Sequence, residues 1–478
     1  MEPIEHVEIH PLPFERFATV LDDAGRADLD DLVGHAQEVF KDRTVWCVNS
    51  TAQGGGVAEM LASLLAYTSS VGVDSRWVVI NGNPAFFRLT KRIHNRLHNS
   101  PGDGGPLGDE ERKIYDETIE GPAEAFASIV RPNDVVLVHD PQPAGLTQAL
   151  KDKGAKVIWR LHVGADHPND IAREAWDFVT PYVKPADAWV FSREQFFWTD
   201  RLPEDRSYVI PPSIDIFSPK NQDLSDEAVR AILAAAGIVE ESNGAQPCFE
   251  RENATTGTVM RKASITEERP LPVNAPLVLQ VSRWDRLKDP AGVIQGFVDH
   301  VAEKIPEAEL MLAGPSVEGV TDDPEGAEVV EEVTEIYRTL PDEIRARVHL
   351  AQLPMEDRQE NAAIVNALQR HAAIVVQKSI AEGFGLTVSE GMWKGRPLVA
   401  TAVGGIADQV VDGETGILVK DATDLREYGE ALVELLSDPD RANAMGEKGR
   451  QRVLEHFIGV RHLRQWVELV DRIDAAGG

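Results

Sequence analysis

Two carboxylates, Glu382 and Glu390, flank a glycine-containing turn in Ser379-Ile380-Ala381-Glu382-Gly383-Phe384-Gly385-Leu386-Thr387-Val388-Ser389-Glu390. The apolar run Ala372–Gln377 before it reads as a strand, and the residues from Leu386 onward read as a helix. Gly383 and Gly385 let the backbone approach a ligand closely. The unpaired N–H groups and the dipole at the helix start, around Phe384 and Leu386, suit a phosphate or an oxygen-rich sugar. Glu382 can accept hydrogen bonds from sugar hydroxyls. Glu390, about one to two turns into the helix, can meet a ribose. The plainer alternative is a pair of acids stabilising a helix dipole.

A second group is cationic. Val281-Ser282-Arg283-Trp284-Asp285-Arg286-Leu287-Lys288-Asp289-Pro290 begins at the carboxyl end of an expected strand, where open α/β sheets bind ligands. Arg283 and Lys288 supply two cations to a diphosphate leaving group, whose developing charge needs fixed donors. The competing reading is a surface loop that pairs Arg283 and Lys288 with Asp285 and Asp289.

A third group, Asn49-Ser50-Thr51-Ala52-Gln53-Gly54-Gly55-Gly56-Val57-Ala58-Glu59, joins a strand to an amphipathic helix through a glycine run, so Gly55 and Gly56 are candidate ligand-facing positions. The pattern is not G-x-G-x-x-G, which disfavours a dinucleotide site. His139 and His162 each end an expected strand, and Asp140 and Gln142 follow His139 directly. Strand-end polar groups often bind ligands, although a lone histidine is more often a packing residue. There is no Ser-His-Asp spacing and no H-E-x-x-H. The run Thr321-Asp322-Asp323-Pro324-Glu325-Gly326 reads as a solvated loop capping a helix rather than a metal site.

The elements that must position these groups fall into two series of short apolar runs. The first comprises Thr44–Asn49, Ser75–Ile80, Asp134–His139, Lys156–His162, Asp187–Ser192 and Ser207–Pro211. The second comprises Pro276–Ser282, Ala308–Gly314, Val348–Leu353, Ala372–Gln377, Pro397–Thr401 and Gly416–Lys420. Near-continuous apolar strands alternating with helical stretches predict parallel sheets covered on both faces, hence two doubly wound α/β domains. The expected division is a first domain over 1–220, an insertion over 221–272, a second domain over 273–458 and a terminal helix over 459–478 that packs back towards the first. Within the insertion the spacing predicts a helix over Asp226–Ala235 and a long loop.

Bulk properties set limits. A chain of 478 residues exceeds what one core usually supports. No stretch approaches the ~20 apolar residues of a membrane span, and the acidic start Met1-Glu2-Pro3-Ile4-Glu5-His6 lacks the apolar region of a secretory signal. Two distant cysteines, Cys47 and Cys248, give neither a disulfide framework nor a zinc pattern. A net charge of −31 repels nucleic acid and anionic lipid, so neither is an expected partner. A cytoplasmic location fits.

Together these residues resemble the family 4 retaining glycosyltransferases of the GT-B fold, two Rossmann-like domains facing an interdomain cleft. The carboxylate pair separated by seven residues matches Glu382 and Glu390. The family's Arg and Lys match Arg283 and Lys288, and its glycine-rich loop matches Gly54–Gly56. Within that family the chain is most similar to the trehalose synthases that glucosylate glucose directly. The similarity runs through Val138-His139-Asp140-Pro141-Gln142-Pro143, Ile210-Pro211-Pro212-Ser213-Ile214-Asp215 and Asp322-Asp323-Pro324-Glu325-Gly326, but not through Asn221–Pro272. Fungal-type trehalose phosphorylases share much of the pattern.

The resemblance implies front-face substitution without a protein nucleophile, the leaving diphosphate itself helping to deprotonate the acceptor hydroxyl. Arg283, Lys288 and the N–H groups around Gly383–Leu386 would hold the diphosphate. Glu390 would bind the ribose, Glu382 a glucose hydroxyl, and His162 would lie beside the glucose ring. Asp140 and Gln142 would face the acceptor. It implies a nucleotide-glucose donor (UDP- or ADP-glucose), a glucose acceptor, no cofactor and no bound metal. A homodimer is the candidate assembly. A phosphorylase, a family member with another small sugar or polyol acceptor, a sugar-nucleotide epimerase and a non-catalytic sugar-nucleotide-binding protein are the competing readings. The epimerase pattern lacks the Glu-Gly-Phe-Gly-Leu turn.

Overall fold

The computed structural model of the chain describes residues 2–52, 56–240, 244–317 and 324–476. Contact density divides it into two compact units, Met1–Ser213 with Gly459–Gly478, and Ile214–Ile458.

The first unit is built on a seven-stranded sheet. Its strands are β1 (Ile4–Val7), β2 (Thr44–Asn49), β3 (Asp74–Ile80), β4 (Val135–His139), β5 (Lys156–Leu161), β6 (Ala188–Phe191) and β7 (Ser207–Val209), in the order β1-β3-β2-β4-β5-β6-β7. Only β1 runs antiparallel to its neighbour. Alternate residues of the central strands, among them Trp46, Val48, Val136, Val138, Trp159 and Leu161, feed one face. There they meet Phe86, Ile93, Phe126, Trp176 and Val179 from the helices Pro84–Leu97, Asp109–Ile129 and Asp170–Val183. Each such large side chain contributes roughly 1.5–3 kcal/mol on leaving water. Cys47, between Trp46 and Val48, points to the opposite face of the sheet and is buried there, which pushes its thiol up to about 12. The glycine run after β2 leads into the helix Gly56–Ser70, so Gly56 is its first residue, whereas Gly54 and Gly55 lie outside the described residues.

The second unit has three parts. Residues Asp226–Ala235 form a helix capped by Ser225, whose side chain accepts from the Ala228 N–H. The stretch expected to follow as a long loop instead carries β8 (Cys248–Glu250) and β9 (Thr256–Thr258), an antiparallel pair, and β10 (Ser264–Thr266). Strands of three residues with polar or glycine members show no usable alternation, which is why the pattern hid them. The insert is tied to the helix Arg358–His371: Arg251 pairs with Asp357 at 2.6 Å, and Glu360 accepts from the Met260 and Arg261 N–H groups at 2.6 Å each.

The main sheet of this unit adds β11 (Leu277–Val281), β12 (Glu309–Pro315), β13 (Val348–Leu353), β14 (Ile374–Gln377), β15 (Leu398–Thr401) and β16 (Ile417–Val419) to β10. The order is β10-β13-β12-β11-β14-β15-β16, parallel except for the β10 edge. The strand order therefore reverses at β11 and β14. In doubly wound sheets the crevice beyond the carboxyl ends at such a reversal is where ligands bind. Among the described residues no helix is long and apolar enough to cross a membrane.

Candidate functional site

The two loops that leave the reversal point of the second unit carry the residues singled out by spacing. After β11 the chain passes Arg283 and Asp285, makes a short 3-10 turn over Arg286–Lys288, and enters the helix Pro290–His300 at Asp289. Asp289 adopts φ +48°, ψ +51°, and its side chain accepts from the Gly292 N–H at 3.0 Å, which caps the helix. After β14 the chain runs through Ser379 and Glu382 to Gly385, at φ +82°, where the helix Leu386–Trp393 begins. A residue with a Cβ is strained at that φ, and a Cβ there would also meet Glu382 Cγ at 3.1 Å.

The loops are stitched together. The Ile380 N–H donates to the Leu287 carbonyl at 2.8 Å. Gln280, buried in β11, donates to the Lys288 carbonyl at 2.9 Å and accepts from the Lys378 N–H at 3.0 Å. Lys378 Nζ is buried against Asp289 and donates to the Ala422 carbonyl at 2.7 Å. Nζ of Lys288 thereby reaches Oε2 of Glu382 at 2.5 Å, and the Ser379 hydroxyl approaches the same oxygen at 3.3 Å.

The alternative pairing of the two cations with Asp285 and Asp289 is thus half realised. Arg283 lies 3.4 Å from Asp285, with its side chain 54% exposed, but Lys288 pairs with Glu382 and Asp289 with Lys378.

The turn itself presents donors. The Phe384 and Gly385 carbonyls are taken by Gln409 Nε2, at 2.6 and 3.3 Å, and Gln409 is held in turn by the Ser389 hydroxyl at 2.5 Å. Gly404 and Gly405 back this turn: a Cβ at Gly404 would fall 1.7 Å from the Glu382 carbonyl oxygen. Among the described residues the N–H groups of Gly383, Phe384, Gly385 and Leu386 find no acceptor, so consecutive donors stand at a helix start beside the Lys288–Glu382 pair.

Glu390 sits deeper, 3% exposed, with Oε1 3.7 Å from Lys220 Nζ. Lys394 is buried behind it, donating to Asn221 Oδ1 at 2.8 Å and to the Glu390 carbonyl at 3.2 Å. Burial holds the Lys394 ammonium well below the usual lysine range, and the Glu390 charge acts against that. Lys220, Gln280, Lys378 and Gln409 were not among the expected site residues. Gln280 and Lys378 interrupt or follow apolar strand runs, a signal that could have found them.

The first unit gathers the other expected residues at the carboxyl ends of β4 and β5. Asp140 turns the chain at φ +68° and accepts from the His162 N–H through Oδ1 at 2.9 Å. Burial pushes its carboxyl up to about 6, against the lowering influence of the His162 N–H and of Arg160. His162 Nε2 lies 3.0 Å from His139 Nδ1. Gln142 is half-buried, and its carbonyl accepts from the Tyr115 hydroxyl at 3.1 Å. The terminal helix Gly459–Ala476 belongs to this unit and brings Arg461 and His462 into the same interior. Arg461 donates to the Pro211 and Pro212 carbonyls at 2.8 and 2.9 Å, and His462 Nδ1 lies 2.8 Å from the Ser213 hydroxyl. Gly55 and Asp322-Asp323, singled out by pattern, lie outside the described residues.

Two doubly wound sheets, with a cation–carboxylate pair and a run of free N–H groups at the reversal point of the second, define a GT-B glycosyltransferase. Residues 47–198 match the family "Trehalose synthase, N-terminal domain", and residues 262–452 match "Glycosyl transferases group 1". A trehalose synthase of Pyrococcus horikoshii is 34% identical over 445 residues, covering 91% of each chain. A trehalose phosphorylase of Pleurotus sajor-caju is 25% identical over 444 residues, covering 84% of this chain and 55% of its own. Among solved structures, an α,α-trehalose 6-phosphate synthase from Burkholderia multivorans superposes with a TM-score of 0.67 at 16% identity, covering 91% of this chain and all of that one. The chain belongs to the trehalose synthase family of group 1 glycosyltransferases.

Proposed function

We propose that the protein is a retaining glycosyltransferase that moves glucose from a nucleotide-glucose, UDP- or ADP-glucose, to glucose and forms α,α-trehalose. The observation that carries the reading is the Lys288–Glu382 pair at 2.5 Å beside the unpaired N–H groups of Gly383–Leu386. A diphosphate leaving group accepts from those N–H groups, from Arg283 and from Lys288, while Glu382 turns its second oxygen to a hydroxyl of the transferred sugar. Such fixed donors stabilise the charge that develops as the glycosidic bond breaks. Glu390 takes the ribose hydroxyls. The leaving oxygen receives the acceptor proton, so no protein nucleophile or bound metal is required. In the first unit His162 faces a sugar ring, and Asp140 and Gln142 face the acceptor.

The relatives support this assignment over phosphorolysis, because the trehalose synthase matches at higher identity and along nearly its whole length. Incubation with UDP-, ADP- and GDP-glucose plus glucose, with and without a chelator, tests it. Nucleoside diphosphate release with a disaccharide whose two anomeric protons are both α is the expected result. Phosphate-dependent cleavage of trehalose without diphosphate release overturns it.

A further inference from the structure

His139 and His162 end neighbouring parallel strands, and their rings stack with centroids 5.3 Å apart and 16° between planes. His139 Nδ1 and His162 Nε2 are 3.0 Å apart, so one donates and the other accepts. Burial, with Arg160 beside it, holds His139 at about 3, and burial, Arg160, His139 and His462 hold His162 well below the ordinary histidine range. The charged and titratable groups facing the pair are Asp140 after β4, Arg160 on β5, and Arg461 and His462 on the terminal helix. Both imidazoles are therefore neutral near pH 7, and one proton lies between them.

Which ring owns that proton follows from the outer nitrogens. His139 Nε2 is buried without a partner, and so are Nε and Nη1 of Arg160, whose Nη2 donates to the Ser192 hydroxyl at 3.3 Å. If His162 donated, His139 would carry its hydrogen on Nε2, a buried N–H with no acceptor beside a guanidinium. An unsatisfied buried donor costs about 1–3 kcal/mol. If His139 donates from Nδ1, Nε2 is a bare lone pair next to a cation, which the field favours. His162 must then hold its own proton on Nδ1. That nitrogen has no partner among the described residues.

We propose that His139 is a positioning residue: its Nδ1–H donates to Nε2 of His162, fixes that ring, and leaves His162 a neutral Nδ1–H donor for a hydroxyl oxygen of the sugar. The inference rests on the assignment of His162 to a sugar-facing role, and it specifies the atom and its proton.

His139→Phe keeps an aromatic ring without nitrogen, and His139→Asn returns an amide near the position of Nδ1. Turnover of the Phe variant is expected to fall about tenfold or more, the loss of one hydrogen bond that orients the ring. Its affinity for nucleoside diphosphate, whose proposed ligands lie in the second unit, stays unchanged, and the Asn variant returns to within about threefold of wild type. Long-range nitrogen–proton spectra of histidine-labelled protein, with His162 identified by its loss in His162→Asn, read the tautomer directly. Wild type is expected to show Nδ1–H on His162, and the Phe variant a shift towards Nε2–H. Wild-type turnover in the Phe variant, equal damage in the Asn and Phe variants, or an Nε2–H His162 in the wild type would each overturn the proposal. If no sugar nucleotide supports transfer, the functional assignment fails while the spectra still decide the tautomer.

Discussion

Lys288 Nζ and Glu382 Oε2 meet at 2.5 Å although 94 residues separate them, each side chain being less than one-sixth exposed. The contact exists because Gln280 holds the Lys288 and Lys378 backbones on either side of the reversal point. One oxygen of Glu382 is thus committed to a cation and a serine hydroxyl, which orients the other.

The first prediction concerns this pair. Lys288→Ala should lower turnover by about 10²–10³-fold, the cost of one fixed donor to a developing charge. Arg283→Ala should do the same with less effect on melting temperature, because the Arg283 side chain is half-exposed and its contact with Asp285 is loose. Glu382→Gln keeps the shape but loses the charge that holds Lys288, so it should raise the KM for donor and reduce turnover. Steady-state kinetics with circular dichroism melts read all three. Undiminished turnover in Lys288→Ala would remove the diphosphate role.

The fold was legible where both faces of a strand are covered. Thr44–Asn49 and Val348–Leu353 match the observed strands to the residue, because their apolar runs continue until the chain leaves the sheet. Ile4–Val7 and Ser264–Thr266 escaped notice: both are antiparallel edges of three or four residues with exposed polar members. The candidate site motifs were visible as types and spacings, but their pairings were not. The competing reading of the cationic loop paired its cations with Asp285 and Asp289, yet Asp289 caps a helix and neutralises Lys378, a partner that the β11–β14 adjacency supplies. Arg461 and His462, about 250 residues from Pro211 and Ser213, could not be linked to them by any local signal.

A second prediction is a pH dependence of stability in the second unit. His349 is fully buried between Glu267, at 2.6 Å, and Glu309, at 3.2 Å, and Glu309 also takes Arg269 at 2.6 Å. Burial alone lowers the imidazole value, but the hydrogen bonds and charges of the two carboxylates outweigh it, and the net direction is upward. A raised folded-state value means the contribution is fully present below the unfolded value of about 6.5 and is lost as pH rises through the folded one. The urea midpoint should therefore fall between pH 6 and pH 9, and His349→Gln should flatten that fall. Parallel curves for the two proteins would contradict it.

Asp140 gives a third. With its carboxyl pushed up to about 6 by burial, it ionises well above the usual aspartate range. If the carboxylate accepts from the acceptor hydroxyls, the ratio of transfer to donor hydrolysis should rise with pH around a midpoint near 6. Asp140→Asn should abolish that rise. It should also stabilise the protein above pH 6, since the raised value means ionisation costs the folded state there, while the amide oxygen can still accept from the His162 N–H. A pH-independent ratio in the wild type would exclude the acceptor role.

The last prediction fixes the acceptor. A sugar phosphate needs cations free to grip it; Arg160 beside Asp140 is buried, and the further candidates in the first unit are Arg88, Lys91 and Arg92 on the helix Pro84–Leu97. Arg92 is not free: it pairs with Asp103 at 2.5 Å, donates to the Pro106 carbonyl at 2.5 Å and lies 3.7 Å from Glu111. Arg96, one turn on, is spent on Glu174 and on the Gly105 carbonyl at 2.6 Å. Arg88 and Lys91 point to solvent on the exposed face. Asp140 meanwhile places a carboxyl group at the strand ends, which disfavours a phosphate and suits a neutral polyol. Glucose should therefore outcompete glucose 6-phosphate as acceptor, by at least tenfold in kcat/KM, a difference of about 1.4 kcal/mol. Releasing Arg92 by Asp103→Asn should leave that preference in place, because the guanidinium remains held by Pro106 and Glu111. Mixed-acceptor assays resolved by mass would decide it, and a preference for glucose 6-phosphate, fructose 6-phosphate or glycerate would sink the trehalose assignment while leaving the glycosyltransferase class intact.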